Sequence, residues 1–459
     1  MDKSLSEGVR RYIKAGEEST ARRKKYREKA RQCRFDTIAV HGMYSLEEAF
    51  AQGQGGVIEP IFPSTSQAYR DSDEMEAGLS YQIPTWCYSR IINPTNSFLE
   101  DTLSLLEAYG CPFDASAFCT ASGMSAIKQA VEPLLALPQA GGAGEEVNFV
   151  SSAQVYGGTF QLFNVRMPER RAMVRWVAKP WEEGEWEKLV DERTRFLYTE
   201  MPSNPQQACS DLEALAKLAH RFRIPLVVDS TIATPALMRP LQHGADVVVQ
   251  SLTKTIGSGG AAIGGAVIAR HGLVSKHLTD EARADYSTWL KLWPGRDSGP
   301  CMSPYSAFFF LNDLRTLRMK VEKFSENTEA VAGFLAGHPR VESVDYLGLK
   351  KHPLHGLAAR YMRLVDSERP MFGHLMSFTI KGGARDARRF FDGLQRIFRA
   401  TDLGRIKSVA TIPAISTHQQ QGNEGRRLAG IPPTMVRLCV GGEHPEDIIK
   451  DLDEALNKI

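Results

Sequence analysis

Two neighbouring segments decide the fold: Ile224-Pro-Leu-Val-Val-Asp229-Ser-Thr231 and Ala245-Asp-Val-Val-Val-Gln-Ser251-Leu-Thr253-Lys254. Their apolar, β-branched centres, Leu226–Val228 and Val247–Val249, read as buried parallel strands. Residues Thr234–His243 between them have the length of a short helical crossover. The first strand ends in a carboxylate, Asp229, and the second leads into Ser251, Thr253 and Lys254. Ligands of open α/β sheets bind beyond the carboxyl ends of the strands, so one crevice receives an acid, two hydroxyls and an amine.

That set suits pyridoxal phosphate (PLP). The cofactor needs an amine for its Schiff base and a carboxylate to keep its ring nitrogen protonated, and hydroxyls beside the lysine can hold its phosphate. A strand-end Asp paired with a surface Lys is the alternative. Upstream, Phe196–Thr199 is another strand, running into Glu200-Met-Pro-Ser-Asn204-Pro, where Asn204 sits in a fixed turn suited to a cofactor hydroxyl. Leu212–His220 is helical. The β-then-α alternation over 115–270 predicts a mainly parallel sheet with right-handed crossovers. After Lys254, Gly257-Ser-Gly-Gly-Ala-Ala-Ile-Gly-Gly feeds a strand at Ala266–Ala269.

Nearer the amino terminus, Thr120-Ala-Ser-Gly-Met-Ser follows apolar Ala115–Cys119 and opens a helix, a weak phosphate signal that a tight βα turn would equally require. Gly141-Gly-Ala-Gly reads as a loop before a strand at Val147–Val150. Tyr156 precedes Gly-Gly-Thr and either stacks on a ring or fills the core. Tyr88 and Arg90, ahead of Asn93-Pro-Thr95, either reach a phosphate or pair at the surface. Thr95 is expected to cap the helix carrying Leu99, Leu103 and Leu106. Thr37–Gly42 and the Gly/Pro-punctuated stretch 55–66 read as extended.

A Gly/Pro-rich link at Pro294–Pro304 marks a boundary, after which Ser306–Leu335 reads as long helical sequence. Strands at Phe372–Ile380 and Val436–Val440 and helices at Asp386–Phe398 and Glu446–Leu456 form a second, smaller α/β unit. Arg437, inside an apolar strand, needs a partner, either a substrate carboxylate or a structural acid. His352 and His355 have metal-like spacing without a further ligand cluster, so they read as structural and no metal is expected.

Composition narrows the class. Of 459 residues, 42% are hydrophobic and 24% charged, with a net charge of +2, which is ordinary for a globular protein and gives no reason to invoke nucleic acid or a membrane surface. Seven scattered cysteines without a Cys-x-x-Cys pair fit reduced thiols in a cytoplasm. No apolar run has bilayer length, and no secretory signal core is evident. Residues 1–34 carry twelve Lys or Arg against five Asp or Glu, and read as a solvated helix lying along a neighbouring subunit.

Together, Tyr88-Ser-Arg with Asn-Pro-Thr, Ser122-Gly-Met, Tyr156-Gly-Gly-Thr, Pro202-Ser-Asn-Pro, Asp229-Ser-Thr, Ser251-x-Thr-Lys and Arg437-Leu-x-Val-Gly resemble the trans-sulfuration enzymes of cysteine and methionine metabolism. The match spans about Thr37 to Leu456. The resemblance implies an aminotransferase-like PLP fold (fold type I), a homotetramer and an amino-acid substrate. It implies a basic extension (1–35), an arm serving the neighbouring subunit (36–95), a large PLP-binding domain (96–300) and a C-terminal domain (301–459). Lys254 and Tyr156 would be catalytic. Tyr88, Arg90, Ser122, Gly123, Met124, Tyr156, Asn204, Asp229, Thr231, Ser251, Thr253 and Lys254 would bind the cofactor, with Tyr88 and Arg90 reaching across subunits. Arg437 and the Ser408 backbone would hold the substrate carboxylate. Gly158 stands where methionine γ-lyases carry Cys, and Thr411 where cystathionine enzymes often carry Glu. Thr255 and Ser258-Gly259 also depart from the relatives. The resemblance thus points to γ-replacement on an O-activated homoserine, with γ-elimination as the alternative.

Overall fold

The computed structural model describes residues 5–83, 85–136, 146–367 and 369–459. The anticipated loop at Gly141–Gly144 lies outside them. Seven strands form the first sheet: β1 (Ala115–Thr120), β2 (Val147–Ser152), β3 (Ala172–Val177), β4 (Thr194–Glu200), β5 (Leu226–Asp229), β6 (Val247–Gln250) and β7 (Gly265–Arg270), in the spatial order β1-β7-β6-β5-β4-β2-β3. Strands β3, β2, β4, β5 and β6 run parallel, while β7 is antiparallel to both β6 and β1. The sheet is the mainly parallel one expected, with both faces covered. Leu226, Val228 and Val248 pack into one apolar layer, and Val227, Val247 and Val249 into the other, which explains why these strands are continuously apolar.

The second sheet comprises β8 (Val341–Asp345), β9 (Leu375–Ile380), β10 (Phe398–Arg399), β11 (Val409–Thr411) and β12 (Met435–Cys439), ordered β10-β11-β12-β9-β8. Helices Ala384–Gly393 and Pro445–Leu456 pack on one another beside it. The expected helix to Phe398 stops at Gly393, because Leu394 is already extended and Phe398 pairs with Val409. The long helical stretch is two helices, Pro304–Leu314 and Leu317–Gly337, interrupted at Arg315–Thr316.

Two expectations near the amino terminus are corrected. Residues 36–95 are not extended throughout: helices occupy Phe35–His41, Leu46–Gln52 and Ser72–Leu79. Each has only seven or eight residues, too short to develop a helical period, and the caps Ser45 and Asp71 set their starts. The helix Pro94–Glu107 is capped by Asn93, whose side chain accepts from the Thr95 N–H, while the Thr95 hydroxyl donates to the Pro60 carbonyl.

The basic extension is a helix, as expected, spanning Glu7–Ala30, and within its own chain it packs against the helix Ser72–Leu79. Tyr12 donates to Asp71 at 2.8 Å. Arg27 grips Asp114 through two hydrogen bonds of 2.8 and 2.7 Å, and also reaches Ser104 and the Ala115 carbonyl. Arg27→Ala is therefore expected to lower unfolding stability by about 2 kcal/mol, as for a partly buried pair losing one member. Replacing the exposed Arg22 should change it by no more than about 0.5 kcal/mol. Chemical denaturation of both variants tests this.

Candidate active site

The carboxyl ends of β4, β5 and β6 bring the chemistry together. Glu200 and Asp229 end adjacent strands in register. Asp229 is buried and accepts from the Thr231 N–H at 3.0 Å and the Tyr198 hydroxyl at 3.4 Å, both neutral donors. Burial raises its pKa above the ordinary carboxylate value. Glu200, also buried, accepts from the N–H groups of Tyr156 (2.7 Å) and Asn204 (2.9 Å). Burial, reinforced by the Asp229 charge, pushes it well above the usual range. Glu200 thus fixes the backbone of two anticipated site residues, while Asp229 remains a carboxylate in need of a cation.

Beyond β6, the chain turns at Ser251, whose N–H donates to the Thr231 hydroxyl at 2.8 Å. Gly123 opens the helix Gly123–Val131, with Ser122 as its cap. A Cβ on Gly123 would stand 2.6 Å from that of Ser251, so glycine is required for the helix amino terminus to meet the β6 turn. Helix N–H groups and a serine beside them suit a phosphate. The Thr253 hydroxyl instead exchanges hydrogen bonds with Gly264, donating to its carbonyl and accepting from its N–H. Met124 and the Tyr156 ring meet over Gly158, and Tyr156 is 38% exposed, so it can offer a face to a flat ligand.

The Lys254 Nζ donates to Asp402 Oδ1 at 2.7 Å. Arg437, fully buried on β12, donates through Nη1 to Asn204 Oδ1 (3.0 Å) and through Nη2 to the carbonyls of Thr401 (3.0 Å) and Asp402 (2.8 Å). Its partners are neutral, and burial lowers its pKa. A buried cation so placed favours an anionic ligand. Neighbouring His418 is buried, and burial together with Arg437 brings it down to about 4, keeping the ring neutral.

Not every anticipated residue converges here. The Ser408 N–H donates to Glu443 at 2.6 Å and its hydroxyl to the same carboxylate at 2.9 Å, so that backbone group is engaged elsewhere. Tyr88 is 44% exposed, with the Arg90 guanidinium 5.4 Å from its ring centre. Arg90 donates to the Arg296 carbonyl, at the segment whose continuation, Pro300, accepts from the Ala121 N–H. His352 and His355 turn to Asp345 and to the Leu347 carbonyl. Glu200, Asp402 and Arg405 were not singled out from sequence. Glu200 had a signal, since it ends a strand beside the strand of Asp229.

The donor set fits PLP: an unpaired buried carboxylate, an exposed aromatic face, a helix amino terminus crowded against Ser251, and an amine. A sequence profile described as "Cys/Met metabolism PLP-dependent enzyme" matches residues 36–457. The O-acetyl-L-homoserine sulfhydrylase of Leptospira meyeri is 34% identical over 452 residues, covering 92% of this chain and 97% of that protein. The L-methionine gamma-lyase of Fusobacterium nucleatum subsp. polymorphum is 33% identical, covering 88% and 94%. A solved Campylobacter jejuni structure holding N′-pyridoxyl-lysine-5′-monophosphate superposes with a TM-score of 0.82 at 30% identity, over 93% of this chain and 100% of that one. The chain therefore belongs to the PLP-dependent enzymes of cysteine and methionine metabolism.

Proposed function

We propose that this enzyme performs γ-replacement on an O-activated homoserine, using sulfide or a thiol as the incoming nucleophile. The observation that carries the choice is the space at Gly158. A Cβ there would lie 2.6 Å from the Tyr156 ring and 3.0 Å from the Met124 sulfur, so the cysteine that methionine γ-lyases carry would displace the ring or the thioether from its place. Thr411 points the same way: it is buried and bonded to the Ser416 hydroxyl at 2.8 Å, and it offers no acid. The similarity to an O-acetyl-L-homoserine sulfhydrylase supports this reading.

When bound, PLP supplies the electron sink that makes the α and β protons of the amino acid removable. In this reading, Lys254 carries the cofactor and moves protons at Nζ. Asp229 holds the ring nitrogen as a cation, which relieves the cost of its own burial. Tyr156 covers the ring, and Ser122, Gly123, Met124, Thr231 and Ser251 surround the phosphate. Asn204, fixed by Glu200, aligns Arg437 to receive the substrate carboxylate. Tyr88 and Arg90 serve the neighbouring subunit, which their exposure permits.

We read the assembly as a homotetramer. Leu46 (80% exposed), Phe50 (75%) and Val57 (96%) form an apolar surface that another subunit would cover. We place the enzyme in the cytoplasm, a reading supported by seven free cysteines, five of them buried. Among the described residues no helix is long and apolar enough to cross a membrane. The division into a larger cofactor-holding unit (96–300) and a smaller one (301–459) is supported by the confinement of each sheet to one of them.

A second reading, γ-elimination, draws on the methionine gamma-lyase similarity. The two separate in one assay. With O-acetylhomoserine and sulfide, replacement should form homocysteine, at a rate exceeding 2-oxobutanoate release from methionine by at least about tenfold. Ammonia and 2-oxobutanoate formed without any nucleophile, at the faster rate, would reverse the assignment.

A further inference from the structure

The turn Thr401-Asp402-Leu403-Gly404-Arg405 is built against the reactive lysine in a way that no anticipated role explains. Asp402 Oδ1 accepts from the Lys254 Nζ at 2.7 Å and from the Leu403 N–H at 2.9 Å, and Oδ2 accepts from the Arg405 Nε. Arg405 in turn donates to the carbonyls of Thr253 (2.9 Å) and Gly257 (3.1 Å), on either side of Lys254. Gly404 has φ +74°, and a Cβ there would stand 2.4 Å from the Thr255 nitrogen and 2.7 Å from the Lys254 carbonyl carbon. On the far side, the Gly404 N–H donates to the Cys439 sulfur at 2.9 Å, and Arg437 holds the carbonyls of residues 401 and 402. Backbone, sulfur and two guanidinium groups thus fix one carboxylate beside one amine.

The charges around that carboxylate make it more than a tether. Burial pushes Asp402 up, yet the hydrogen bond and charge of Lys254, the Leu403 N–H and Arg405 outweigh it and hold the group below its ordinary value, so it is ionised. Lys254 and Arg405 bond it directly, and Arg437 faces it from β12. The other two acids of the site, Glu200 and Asp229, stand at the carboxyl ends of β4 and β5 and are occupied by backbone and hydroxyl donors. Asp402 is therefore the carboxylate bonded to Nζ.

From this we infer that Asp402 is a positioning residue: it receives the amine of Lys254 whenever that amine is not joined to the cofactor, and Arg405 orients it. The lysine must leave the cofactor when substrate arrives, move protons at a defined place, and return. A flexible four-carbon side chain without a partner would spend that interval in many rotamers. A carboxylate held at one point keeps the nitrogen within reach. The inference rests on Lys254 being the cofactor lysine.

The test compares loaded wild type, D402N, D402E and R405A. D402N should retain the visible cofactor band, with kcat lower by about 10- to 100-fold and KM within about threefold, as expected when a reacting group is misplaced rather than removed. After a pulse of substrate is exhausted, its resting spectrum should return more slowly by a similar factor. D402E should recover part of both losses, and R405A should fall between wild type and D402N. In cofactor-free protein, pulse acetylation read on the Lys254 peptide should be about tenfold faster in D402N, because the amine is then no longer held by a charge-assisted hydrogen bond to a carboxylate. Values of kcat, spectral return and labelling within twofold of wild type would overturn the assignment. So would losses that track the unfolding temperature and are not restored by D402E. Borohydride reduction of loaded wild type separates the two readings. A tag on another lysine overturns both, whereas a tag on Lys254 with an unaltered D402N overturns only the role of Asp402.

Discussion

If Lys254 carries the cofactor as proposed, Lys254→Ala is expected to abolish turnover, by at least about 10⁴-fold, the scale of losing a group that would both join the cofactor and move protons. The bound cofactor should lose the visible band that reports its bond to the protein. The fold should survive. Lys254 sits at a mouth where its side chain is 27% exposed, and Asp402 keeps Arg405 and the Leu403 N–H after the amine is gone. A circular-dichroism melt close to that of wild type, together with lost turnover and absorbance, is the predicted combination. Retention of turnover within tenfold would remove Lys254 from the chemistry.

Asp229→Asn separates stability from catalysis in the opposite sense. A neutral amide cannot hold a cationic ring nitrogen, and kcat should fall by about 100- to 1,000-fold, the cost of removing one preorganised electrostatic partner. The cofactor-free variant should nevertheless melt no lower than wild type. The sign follows from burial, which raises the Asp229 pKa in the folded protein above its unfolded value. A carboxyl so shifted contributes stability at low pH, and that contribution is lost as pH rises through the folded value. The melting temperature of cofactor-free D229N should therefore gain on that of wild type as the pH is raised above the ordinary carboxyl value of 3.8, as measured by parallel thermal scans. Adding PLP should stabilise wild type more than the variant. If cofactor-free D229N instead loses stability steadily over that range relative to wild type, Asp229 is a structural acid.

Much of this site was legible because local rules carry it. Continuous valine runs with polar ends announce buried strands, and Asp229 and Lys254 fall where such strands deliver ligands. Asn204 and Arg437 were each recognisable as groups needing a partner, although not as partners of each other across 233 residues. What stayed hidden depends on distant pairing. The Ser408 N–H has an ordinary strand-entry sequence, and only the folded chain brings Glu443 onto it. Asp402 reads as a loop acid until the fold places it on Lys254. The basic amino-terminal helix is solvated over most of its length. Its docking draws on Arg27 reaching Asp114 and Tyr12 reaching Asp71, and nothing in a charge pattern specifies those contacts.

That same docking closes a border of the main sheet. Strand β1 is an outermost strand, with β7 on one side only. Along its other side, the Ala115 carbonyl is taken by Arg27, the Cys119 N–H by Glu100, and the Ala121 N–H just beyond by Pro300. Side chains and a loop thus occupy the ladder positions a further strand would need, a protection natural sheets use against edge-to-edge growth. Two copies of this enzyme cannot join by extending the sheet through β1. Association on that side must proceed through helices and loops, and loss of the amino-terminal helix would free the Ala115 position as a template for aggregation.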